Sequence, residues 1–324
     1  MRMKIFCMVV LCACLFIACE KDNDDYEPVK PPVEQPEKPV EPEKPEKPTT
    51  PPSTDDIINF KIGDLNMIVG SNAWNAVAYG NDIVVAVGVG GYVTYSTNNG
   101  SSWSAPKKIG ISVNDLMFEN GTFLLFCSNF ESIATTSDGI NFYTKNLSIT
   151  PVGFGHGGGM FAVCNYNGNV KLSIDGITWD DAGVAGSNMA ALAVSEEMII
   201  GFTSGGFKYV TKNKGKKWER DASSSIYPTK IVRGDGKFIL INTRSSNRGI
   251  QYIEDGSSIP KSASIDSSKK WIDADFGNGR YVVLSSDGYF STSLDGIDWS
   301  EPAQITDESG NVITVTLNGV CAVH

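Results

Sequence analysis

From residue 74 onward, polar and apolar positions alternate over four to seven residues, pass a tight turn, and then give way to a wholly apolar run. The stretch WNAVAYGNDIVVAVG from Trp74 and the stretch WIDADFGNGRYVVLS from Trp271 show the pattern in full. Val77 and Tyr79 suit a half-buried strand, Gly80-Asn81-Asp82 is turn chemistry, and Ile83 to Val87 suits a strand buried on both faces. Matching pairs fall at Leu116 with Phe123 to Phe126, Val152 with Met160 to Val163, Leu192 with Met198 to Phe202, and Ile231 with Phe238 to Ile241. No helical period runs through this region.

A second pattern follows each pair. Six segments place a turn before a large residue: STNNGSSW to Trp103, TTSDGINF to Phe142, LSIDGITW to Trp179, TKNKGKKW to Trp218, YIEDGSSI to Ile259 and TSLDGIDW to Trp299. The spacings are 39, 37, 39, 41 and 40, and a glycine always stands three places before the last residue. A fixed period of this length with four short strands per unit predicts the blades of a β-propeller. Residues 312–324 repeat only the first two strands, and residues 57–70 have strand character. The expectation is therefore an all-β, seven-bladed propeller of four-stranded antiparallel blades, one blade shared between the chain ends, with six or eight blades as alternatives.

Before residue 56 the chain changes character twice. Arg2 and Lys4 precede an apolar run that ends at Ala18 and Cys19, which is a signal peptide. FIAC resembles the lipobox of bacterial lipoproteins, although Phe16 replaces the usual leucine. That resemblance implies cleavage after residue 18, lipidation of Cys19 with acyl chains such as palmitate, and membrane attachment through lipid. The acidic and lysine-bearing run after Cys19 resembles a lipoprotein surface-export signal, so an outer-membrane, exterior-facing location is expected. Residues 27–53 repeat proline every two to four positions and bury no core. At about 3.1 Å per residue in polyproline II they extend on the order of 80 Å. The organisation expected is thus 1–18 signal peptide, 19–55 lipidated cysteine and stalk, 56–324 propeller.

Composition narrows the partners. The net charge is -10, which argues against nucleic acid. Four of the seven cysteines belong to the signal segment, and Cys127, Cys164 and Cys321 sit in apolar runs as small buried hydrophobes rather than a disulfide set.

The turn motif S-x-N-x-G-x-x-W at Ser96, Asn98, Gly100 and Trp103 resembles the Asp-box, or bacterial neuraminidase repeat. Asn213, Gly215 and Trp218 match it; Asp138, Gly139, Phe142, Asp175, Gly176, Trp179, Asp255, Gly256, Asp295, Gly296 and Trp299 vary it. Their expected role is structural: the acid or amide bonds turn amides, glycine takes positive φ, and the ring packs between sheets. Sialidases with this repeat use an arginine triad and a tyrosine–glutamate nucleophile, and none of Arg220, Arg233, Arg244, Arg248 or Arg280 lies in the matching motif. No catalytic residue, metal or cofactor is assigned. His156 in its glycine-rich turn lacks ligand-spaced partners.

If the first strand of each blade starts on one face, the loops there carry Trp74, Phe130, Tyr166, Tyr227, Arg244, Arg248 and Trp271 as candidate ligand-binding residues. Rings stack on sugars and charges bond hydroxyls. The expected function is a monomeric, non-catalytic surface lipoprotein that binds glycan or protein. The alternatives are a sialidase-like glycoside hydrolase and, from resemblance to propellers of photosystem biogenesis, an assembly factor.

Overall fold

A computed structural model describes residues 74–127, 131–221, 226–242, 249–306, 310–312 and 317–323. The signal segment, Cys19, the stalk, residues 57–70, Phe130, Arg244 and Arg248 lie outside them. The described residues form six four-stranded antiparallel sheets, each of four consecutive strands A to D. Blades 1 to 6 span 74–108, 115–146, 151–184, 189–221, 230–262 and 271–304. The innermost strands A are Trp74–Gly80, Asp115–Glu119, Pro151–Gly157, Met189–Val194, Lys230–Gly234 and Trp271–Gly277, and they lie against one another around the axis.

The radial setting explains the apolar B strands. In blade 2, Phe123 and Leu125 join the core shared with blade 1, while Leu124 between them joins the core shared with blade 3. Both faces of each sheet are covered, so alternation disappears. Five such cores separate blades 1 to 6 in turn. Between blades 3 and 4 the approach is closest. A Cβ added at Gly153, Gly155 or Gly157 would lie 2.6, 2.3 or 2.3 Å from a backbone oxygen of blade 4, so the GFGHG pattern is the requirement of that contact.

The expected count of seven is corrected to six. The described residues of the partial repeat at the C-terminal end do not build strands A and B: Thr306 and Val312 form one isolated antiparallel bridge, and residues 317–323 have no strand pairing. They run instead along blade 6. Leu317, Val320 and Ala322 cover Val282, Leu284, Phe290 and Ile305. Asp273 accepts the Val320 N–H at 2.9 Å and Asp275 the Ala322 N–H at 2.8 Å, while Asn318 donates to the Trp74 carbonyl of blade 1 at 2.9 Å. This tail occupies the seam between blades 6 and 1.

The repeated turn joins strands C and D. In blade 3 the Gly176 N–H meets Ser173 Oγ at 2.8 Å, Asp175 Oδ1 accepts from Ile177 and Thr178 at 2.8 and 2.7 Å, and the Trp179 indole donates to Gly176 at 3.0 Å. The Gly176 φ of 72° is open to glycine, and a Cβ there would also meet Thr135 of blade 2 at 2.8 Å. Blades 1, 2, 4 and 6 repeat the scheme through Asn98, Asp138, Asn213 and Asp295. The Trp103 and Trp299 indoles donate within their own turns, whereas Trp218 donates to Ala182 of blade 3 at 2.8 Å. Backbone amides from Asn141 and Ile140 hold the Asp138 carboxyl down at about 2. In blade 5 Asp255 serves another residue, described next.

Candidate functional site

Strand direction defines two ends of the axis. The D–A and B–C loops make a loop face; the A–B and C–D turns make a turn face. At the loop-face end, Lys230 of blade 5 reaches Asp273 of blade 6 at 3.1 Å and, across the axis, Asp115 of blade 2 at 3.4 Å. Burial disfavours the ammonium, but the two carboxylates outweigh it and raise the Lys230 pKa. Burial pushes the Asp273 carboxyl up to about 6, against the pull of Lys230 and with Asp115 adding to the rise. One cation thus faces two acids, and Asp273 is the one that tolerates a proton.

The turn-face end uses strands A of blades 2 and 5 again, three or four residues on, together with strand A of blade 3. Glu119 of blade 2 takes His156 Nδ1 of blade 3 at 3.0 Å and the Gly159 N–H at 2.8 Å. Burial alone would raise its carboxyl. The hydrogen bonds and the charges of His156 and Arg233 prevail, and Glu119 lies below the usual carboxylate range. Arg233 of blade 5 passes beside Gly157, whose lack of a side chain admits it, and gives Nη2 to Asp255 at 2.8 Å. Arg233 Nε and Asp255 Oδ1 are buried without a hydrogen-bond partner. A carboxylate-held imidazole beside a guanidinium has the parts of a proton-transfer centre, but this guanidinium is already engaged by its own acid.

Of the residues expected on the loop face, the described ones, Trp74, Tyr166, Tyr227 and Trp271, belong to different blades and loops and differ in exposure. Trp271 is 1% exposed and its indole donates to the Asp266 carbonyl at 3.0 Å, so it plugs the blade and offers no surface. Trp74 and Tyr227 are half-buried, and Tyr166 is 58% exposed. Arg220 stacks on Phe207 at 4.1 Å. Cys127 and Cys164 are buried free thiols, pushed up by burial to about 11 and about 12. The axial charges were missed because each sits at an inner-strand position where apolar residues were expected. The signal was there: DLMFE, KIVRG and WIDADFG each carry charge inside an otherwise buried strand.

A ring of four-stranded antiparallel blades around an axis is a β-propeller, and that is the class the fold defines. No family model and no curated protein matches the chain. Among solved structures it is similar to YCF48 from Cyanidioschyzon merolae, at 14% identity and TM-score 0.51, over 71% of this chain and 84% of that one. It is similar also to YCF48 bound to D1 peptide, at 15% and 0.50, over 74% and 79%. Virginiamycin B lyase from Staphylococcus aureus, with selenomethionine, gives 10% and 0.57 over 73% and 85%. At such identities the likeness speaks to fold alone.

Proposed function

We propose that this chain is a non-catalytic recognition protein of the outer cell surface, held by lipid on Cys19 and lifted on its proline stalk, with a partner bound on a propeller face. The observation that carries the reading is the cross-axis contact of Lys230 with Asp115. It fills the channel with the protein's own charges, which moves a partner outward to loops and turns on a rigid ring. Both channel ends are occupied by the protein's own ion pairs and hydrogen bonds, as befits a scaffold. A protein partner is favoured over a glycan, because the exposed large side chains include Ile140, Ile174, Ile177 and Ile259 on the turn face against Tyr166 alone among the described candidate rings. A propeller of similar shape is bound to a peptide, which supports the same choice.

The test is to probe peptide and glycan arrays with the intact protein, alongside Tyr166→Ala and a fluorogenic sialoside assay. Selective peptide binding supports the reading. Turnover of the sialoside would replace it with the hydrolase. For the anchor, Cys19→Ser should abolish labelled palmitate incorporation and release the protein from membranes; unchanged membrane partition would sink the lipid assignment.

A further inference from the structure

Blade 4 departs from its neighbours at both of its turns. Its A–B turn is Glu196-Glu197, closed by Ser195, which bonds Met198 through backbone N–H at 2.9 Å and through its hydroxyl to the Met198 N–H at 3.2 Å. The A–B turns of the other five blades contain Asn, Asp or Gly at positive φ instead. Its C–D turn, TKNKGKKW, carries four lysines, more than any other turn of the chain. Between these two turns lies a groove of about 320 Å³ on the turn face. Met160, Met198 and Ile199 form its floor, and all three are buried.

The walls differ in charge. Lys212, Lys214 and Lys216 rise on one side, Glu196 and Glu197 on the other. Glu197 leans toward Gly256 of blade 5, whose added Cβ would stand 2.9 Å from its carboxylate, and Lys212 donates to the Gly256 carbonyl at 3.5 Å. Lys217, next in line, is paired with Glu219 at 2.6 Å. Among the described residues no carboxylate pairs with Lys214 or Lys216. Two unspent ammonium groups therefore stand over an apolar floor, in a protein whose net charge is -10. On the lysine side such a combination selects a negative group attached to an apolar body, while Glu196 and Glu197 keep that group off the opposite wall.

We propose that this groove binds an extended peptide segment in which an apolar side chain is flanked by carboxylates. The apolar side chain enters over the methionines, whose unbranched thioethers adapt to varied shapes. The flanking carboxylates meet Lys214 and Lys216 as point charges. A sugar ligand fits less well, because no aromatic ring lines the groove to stack on its face. The proposal rests on the recognition reading above and gives it a site and a ligand chemistry.

The test uses the intact protein and fluorescence anisotropy with three probes: a fluorescein-labelled peptide of alternating glutamate and leucine, its lysine–leucine counterpart, and a labelled oligogalacturonate. The glutamate–leucine peptide should bind and weaken as salt rises, and the lysine–leucine peptide should not bind. The double variant Lys214→Glu with Lys216→Glu should lose at least tenfold in affinity while melting with the wild type, since both side chains are exposed. Lys145→Glu, on strand D of blade 2, should bind as wild type. Unchanged affinity in the double variant, or oligogalacturonate binding in preference to the peptide, overturns the proposal. So does absence of peptide binding at millimolar concentration. If the arrays still report a partner in any of these cases, the groove is wrong and the recognition reading stands.

Discussion

The two ends of the axis share the inner strands of blades 2 and 5, three or four residues apart, yet they solve the burial of charge differently. At the loop-face end, Asp115, Lys230 and Asp273 come from blades 2, 5 and 6 and share one cation between two acids. At the turn-face end every acid has its own donor: Glu119 has His156, and Asp255 has Arg233. The first cluster is held by ring geometry and carries an imbalance. The second gives each acid a donor of its own, although Arg233 Nε and Asp255 Oδ1 stay buried without a hydrogen-bond partner. A cation whose removal strands two acids is worth more to the fold than a pair that dissolves into neutral partners, because an uncompensated buried charge costs more than a lost hydrogen bond.

The largest expected effect is therefore at Lys230. Lys230→Met should destabilise the protein by roughly 3 kcal/mol in chemical denaturation, by leaving buried Asp273 and half-buried Asp115 without their cation. Adding Asp273→Asn to that variant should restore part of the loss. A cost for Lys230→Met no greater than that of a turn-face variant would erase the contrast between the ends.

Next comes the response to pH, which the two ends oppose. Asp273 binds its proton at about 6 in the folded chain against 3.8 as the ordinary value, so the folded state gains protons first. Its contribution is present in full below about 4 and is lost as pH rises through about 6. Glu119 and Asp138 are shifted the other way, and their contributions are lost as pH falls below the usual carboxylate range. Stability should peak between about pH 4 and 5 and decline toward pH 7. In Asp273→Asn the decline from pH 4 to 7 should flatten, and a decline as steep as wild type would assign the titration to another group.

A smaller effect is expected at the turn-face end. Glu119→Ala leaves the Gly159 N–H and the His156 ring without their acceptor and should cost roughly 1–3 kcal/mol, measured by thermal and urea unfolding. The smallest belongs to the surface pair Lys217–Glu219, which is exposed on both sides. Lys217→Ala should leave the melting temperature unchanged; a clear drop would mean the lysine-rich turn is structurally engaged after all.

The blade unit was legible because its signals are local. Asn120-Gly121, Asp235-Gly236 and Asn278-Gly279 mark A–B hairpins by their dihedral demands, and the apolar B strands mark sheets covered on both faces. Six complete units were countable from the turns alone. The count failed at the C-terminal partial repeat, where an alternating sequence resembles two strands but its described residues 317–323 have no strand pairing and cover the flank of blade 6 instead. The axial charges were illegible for a related reason. Asp115 and Lys230 are 115 positions apart, and only ring geometry makes them neighbours. Trp271 was misplaced because its repeat position suggested a loop, whereas it begins a strand and packs inward.

The tail in the seam also bears on how the ring is made. Strands within a blade are joined by turns of a few residues, and the turn-to-turn bonds between neighbouring blades span some forty to fifty-six positions, as from Asn81 to Gly121 and Ser137. The Asn318–Trp74 contact spans 244. Chain-closure entropy makes that contact on the order of 1–2 kcal/mol harder to form than a blade-to-blade one. Blade-to-blade contacts are therefore expected to form before the meeting of Asn318 with Trp74, and a folding rate unchanged by Asn318→Ala would count against that order.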